Sequence, residues 1–123
     1  MSKLKVLYGE GNEQVLAAES ALLQKAGYDV QMAIGRKGVQ EALKQGTFDL
    51  VILGATLTRD DRHHLPFMVK KANSATRVAV MHTDGSRHHY VDINTDSGSN
   101  MEEMLRKISS MRQPKAAAAA AGK

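Results

Sequence analysis

Apolar residues along this chain fall into two alternating periods, short runs with strand spacing and longer stripes with helical spacing. Val6-Leu7-Tyr8 predicts a first strand that stops at Gly9-Glu10-Gly11. Asn12 is placed to cap a helix, because its side-chain oxygen can accept a free backbone N–H. Val15, Ala18, Leu22 and Ala26 then recur at helical spacing, and Gly27 closes that helix. Val30, Met32 and Ile34 alternate in a second strand; Val39, Ala42 and Leu43 share one face of a short helix ended by Gly46. Leu50 to Leu53 is apolar at every position, as expected of a central parallel strand covered on both faces. Leu65, Met68, Val69 and Ala72 stripe a third helix, with Pro66 tolerated near its first turn. Val78-Ala79-Val80-Met81 reads as a fourth strand and Tyr90-Val91-Asp92-Ile93 as a weaker fifth. Asn100 with Glu103 resembles a capping box, and Met101, Met104, Leu105, Ile108 and Met111 stripe a last helix. Strands alternating with helices over residues 1–112 predict one α/β domain with a mainly parallel sheet. Residues 113–123 contain six consecutive alanines, too few to nucleate a helix alone, and are expected to form a disordered tail.

Composition narrows the class further. The 123 residues fit one domain, and 42% apolar with 24% charged residues is the balance of a globular protein. No apolar run approaches the roughly 20 residues of a membrane span, and no signal-peptide core follows Met1. Zero cysteines exclude disulfides and thiolate metal sites, so the cytoplasm is the expected compartment. The net charge of +4 could favour nucleic acid, but aromatics make up only 4% and no RNA-binding aromatic signature occurs. A solvated, mildly basic surface accounts for the charge better than a nucleic-acid site.

Three phrases carry a family resemblance: Lys5-Val6-Leu7, Ala26-Gly27-Tyr28-Asp29-Val30, and Phe48-Asp49-Leu50-Val51-Ile52-Leu53. Together, at this separation, they resemble the response-regulator receiver domain of two-component phosphorelay signalling, over residues 3–112. The resemblance implies a flavodoxin-like three-layer sandwich with a five-stranded sheet in the order 2-1-3-4-5. In that family an aspartate ending strand three accepts the phosphoryl group. Two acidic residues after strand one hold Mg²⁺, a Ser or Thr ends strand four, and a Lys ends strand five. Carried onto this chain, the acidic pair falls on Glu10 and Gly11 and the acceptor on Gly54. The hydroxyl position falls on His82, with Thr83 next, and the Lys position near Ile93, where no lysine stands between Lys71 and Lys107. Glycine has no nucleophile, and one carboxylate gives Mg²⁺ little to hold. The chain therefore resembles a degenerate pseudo-receiver with no catalytic residue and no cofactor.

A second departure concerns helix four. Only Asp84 to His89 separate strands four and five, whereas a parallel crossover usually takes a dozen or more residues. Helix four is thus reduced to a loop or missing. Asp84-Gly85 would suit a hairpin, while the resemblance favours a parallel fifth strand.

The histidines His63, His64, His82, His88 and His89 fall in loops or at a strand end. They lack the H-x₃-H type of spacing on a helix, so no metal site is expected. Arg59, Arg62, His63, His64, Arg87, His88 and His89 form instead a candidate contact patch, basic and titrating near neutrality. No G-x-S-x-G elbow, G-x-G-x-x-G or P-loop occurs, and no enzyme activity is expected. Two functions remain open at this point. One is a stand-alone pseudo-receiver acting by protein–protein contact or self-association in bacterial signalling. The other is a small-ligand or metal-binding flavodoxin-like domain that uses the carboxyl edge of its sheet.

Overall fold

A computed structural model of the chain describes residues 4–54, 56–83, 91–96 and 102–108. Elements follow the order β1 (Lys5–Glu10), α1 (Glu13–Lys25), β2 (Asp29–Ile34), α2 (Gly35–Gln45), β3 (Leu50–Leu53), α3 (Arg59–Ala72), β4 (Arg77–Thr83) and β5 (Ile93–Asp96). Residues 102–108 form a further helix. The sheet order is β2-β1-β3-β4-β5, and every neighbouring pair is parallel. Strand pleating divides the core in two. Val6, Tyr8, Ile52, Ala79 and Met81 face Leu16 and Leu23 of α1 and Met104 and Ile108 of the last helix. Leu7, Val51, Leu53, Val78 and Val80 face Val39 and Ala42 of α2 and Leu65 and Val69 of α3. β3 is buried along its whole length, which is why its sequence is apolar without alternation.

Several local expectations shift. Asn12 caps α1 as expected, its Oδ1 accepting the Val15 N–H at 3.0 Å. The buried face of α1, however, is Leu16, Ser20 and Leu23 rather than Val15, Ala18, Leu22 and Ala26. A small-residue stripe such as Ala18–Ala26 specifies a face weakly, and the bulkier Leu16 and Leu23 take the core. On the edge strand β2, Met32 and Ile34 are exposed and Ala33 is buried instead. α3 begins at Arg59, so Pro66 lies well inside the helix, where its ring supplies no N–H to the Arg62 carbonyl. In the last helix Met104 and Ile108 are fully buried while Leu105 is only partly so. Asn100, Met101, Met111 and residues 113–123 lie outside the described residues.

β5 is parallel to β4, not its hairpin partner. The expectation that helix four is reduced or missing falls on residues 84–90, which lie outside the described residues. The chain entering β5 is anchored by Asp92. Its N–H donates to the Val78 carbonyl at 2.8 Å, and its Oδ2 accepts the Val78 N–H at 2.8 Å. The same oxygen accepts Lys70 Nζ from α3 at 3.0 Å, and that ammonium also reaches the Thr76 carbonyl at 2.6 Å. Asp92→Ala would leave the N–H of buried Val78 without this acceptor. It should cost about 1–3 kcal/mol in urea unfolding, and a change below a few tenths would show the clamp to be idle.

Candidate functional site

The carboxyl edge of the sheet is where α/β folds of this kind place ligands, and β1 and β3 end there side by side. Residues two apart on a strand share a face, so Tyr8 and Glu10 point to the same side of β1. Both are buried, Glu10 being 1% exposed. The ladder continues one step past β3, where the Gly54 N–H donates to the Gly9 carbonyl at 2.8 Å. That step brings Gly54 against the Glu10 side chain. A Cβ built on Gly54 would coincide with the carboxylate carbon and both oxygens of Glu10. The volume in which a side chain at position 54 would begin is therefore filled by the carboxylate of β1.

Three donors hold that carboxylate. The Tyr8 hydroxyl donates to Oε2. The Thr56 backbone N–H and hydroxyl donate to Oε1 at 3.0 and 2.6 Å. The Thr56 hydroxyl oxygen in turn accepts the N–H groups of Gly11 and Asn12 at 2.8 and 3.0 Å. A hydroxyl has one donor and two acceptor sites, and all are used here. Thr56 thus ties the loop after β1 to the loop after β3. Burial pushes the Tyr8 hydroxyl far above its ordinary pKa, and its hydrogen bond to Glu10 and the carboxylate charges of Glu10 and Glu19 push it further. It stays a neutral donor.

Gly11 has a steric role of the same kind. A Cβ there would run into the carbonyl oxygen of Thr56. An acidic residue is thereby excluded at 11 as well as at 54, and Glu10 is the carboxylate that remains. A Mg²⁺ ion does not fit this set, because hard cations want several free oxygen ligands and both Glu10 oxygens are turned to protein donors.

Other expected positions disperse. Ile93 is a buried core residue paired with Ala79, in the row of Ile52 and Tyr8, two residues short of Gly54. Ile93 thus opens β5 from inside the core, and β5 starts later than its sequence suggests. His82 and Thr83 end β4, and their side chains lie outside the description. Of the contact patch, Arg59, Arg62, His63 and His64 lie together in the first two turns of α3. Arg62 turns inward, its Nη1 donating to the Met81 carbonyl at 3.2 Å, while Arg59, His63 and His64 are exposed. Arg87, His88 and His89 lie outside the described residues. Among the described residues no group of three or more His, Asp or Glu could hold a metal ion, and no helix is long and apolar enough to cross a membrane.

Sequence reasoning missed Tyr8 and Thr56. The spacing of Tyr8 and Glu10 on one strand was a usable signal. Nothing local marks Thr56, which is 46 residues from Glu10.

No family model and no curated protein matches the chain. Solved structures do. The chemotaxis response regulator CheY4 of Vibrio cholerae is 18% identical with a TM-score of 0.73, over 89% of this chain and 98% of that one. The receiver domain of Francisella response regulator 1452 is 14% identical with a TM-score of 0.76, over 92% and 99%. A Burkholderia pseudomallei response regulator carrying a phosphorylated aspartic acid, calcium and citrate is 17% identical with a TM-score of 0.68, over 94% and 74%. With the strand order and the parallel fifth strand in place, this chain has the fold of a response-regulator receiver domain.

Proposed function

We propose that the chain is a pseudo-receiver, a receiver-like signalling domain that works through protein contacts and carries no aspartyl phosphate. One observation supports this above the others: the Glu10 carboxylate lies where a side chain on Gly54 would begin. A phosphoryl acceptor needs an accessible nucleophile and a stabilised transferring charge. Gly54 supplies no nucleophile, and Glu10 is buried with both oxygens engaged. With no reaction at this edge, the work falls to surfaces. The exposed basic side of α3, with Arg59, His63 and His64 beside half-exposed Phe67, is the candidate contact patch. Its partner is a signalling protein or a second copy, in the cytoplasm.

Incubation with acetyl phosphate and Mg²⁺, followed by intact-mass spectrometry and acyl-phosphate trapping, tests the proposal. The natural chain and Gly54→Asp should both stay unmodified. A stable single-phosphate adduct on the natural chain would overturn the pseudo-receiver, and Asp49 and Asp60 would be the first acceptors to examine.

A further inference from the structure

The buried carboxylate at the sheet edge does more than fill space. We infer that Glu10 is an internal ligand of a small-anion pocket, and that its seating locks the loops after β1 and β3 into one arrangement. The inference rests on the pseudo-receiver proposal only for its meaning in signalling; its chemistry stands on the hydrogen bonds themselves.

The pocket is built from three converging donors. One is the hydroxyl of fully buried Tyr8, kept protonated by its surroundings, and two come from Thr56. Three donors around one carboxylate are the arrangement by which proteins hold a carboxylate or another small anion. Here the anion is covalently part of β1. No translational freedom is lost when it binds, so it is present at an effective concentration that a free ligand would match only in large excess. Gly54 leaves its carboxylate room, and Gly11 lets the Thr56 backbone come close. The lock then passes outward through Thr56. Because its hydroxyl hydrogen is committed to Glu10, both of its lone pairs face Gly11 and Asn12. Asn12 is also the N-cap of α1, so the start of that helix is tied to the loop leading into α3. Removing the carboxylate frees the Thr56 hydroxyl to rotate and releases the tie.

Residue-resolved amide hydrogen exchange on the natural chain and on Glu10→Ala, without phosphodonor or metal, tests the assignment. In Glu10→Ala the amides of Gly11, Asn12 and Thr56 should exchange at least about tenfold faster, while the amides of β3 keep their protection. Added sodium formate should slow those three amides again and raise the melting temperature of Glu10→Ala; sodium chloride at equal ionic strength should do neither. The natural chain should not respond to formate, its pocket being filled. If Glu10→Ala does not fold, Thr56→Val removes the hydroxyl at nearly constant shape and should deprotect Gly11 and Asn12 alone. Unchanged protection at Gly11 and Asn12 in Thr56→Val, or in a folded Glu10→Ala, would overturn the lock. Faster exchange that formate does not reverse would overturn the ligand assignment. A phosphate adduct in the earlier experiment would sink the pseudo-receiver and leave this pocket standing, so the two failures are distinguishable.

Discussion

Gly54→Ala should be among the most damaging single substitutions in this protein, although it adds one methyl group and Gly54 needs no unusual backbone angle. The new Cβ lands on the Glu10 carboxylate, which cannot move aside without abandoning Tyr8 and Thr56. Overpacking a filled site costs roughly 1–3 kcal/mol, and hydrogen bonds to a charged group contribute about 1.5–3 kcal/mol each. A loss of about 3–5 kcal/mol is expected in urea unfolding, a large share of the stability of a domain this size. The cause can be isolated with a double-mutant cycle. Glu10→Ala should be costly alone, but Gly54→Ala should cost little more once Glu10 is gone, giving a coupling of more than about 1 kcal/mol. Additive losses would show that Gly54 answers to something other than Glu10. Gly54→Asp should be worse than Gly54→Ala in the natural background, because it brings a second carboxylate to the first.

The second large effect lies in the last helix. Met104→Ala should cost about 2–5 kcal/mol, since Met104 is fully buried in the core cluster it shares with residues of β1, β3 and β4. Leu105→Ala, which the stripe of the sequence would rank equally, should cost nearer 1 kcal/mol because Leu105 is only partly buried. Equilibrium unfolding of both variants decides the matter. A Leu105 loss larger than the Met104 loss would mean that the helix is rotated about its axis from the arrangement described here.

Some family phrases turn out to mark backbone geometry. In Ala26-Gly27-Tyr28, Gly27 takes φ +100° to leave α1, and Tyr28 turns into the core. In Phe48-Asp49-Leu50, the Asp49 Oδ2 accepts the Lys5 N–H at 2.8 Å and sets the start of β1 against β3. Such signals are local, and so they are readable in order along the chain. The faces of α1 and β2 were harder. On an edge strand and a helix with small residues, exposing an apolar group costs little, so Met32, Ile34 and Leu22 can stand in solvent.

The sequence by itself determined the alternation of strands and helices, the buried third strand, the cap at Asn12 and the absence of a side chain at position 54. Each follows from a residue's own chemistry or from a period along a few turns of chain. Only the tertiary structure decided that β5 runs parallel, that Ile93 is core and not edge, and that Gly54 and Gly11 are small for a reason. The parallel pair is accompanied by hydrogen bonds from Val78 and Lys70 to Asp92, residues distant in sequence. The glycines are explained by Glu10 and Thr56, which meet only when β1 and β3 lie side by side. A carboxylate's neighbours across a sheet leave no trace in the local pattern, because steric exclusion acts through space and not along the chain.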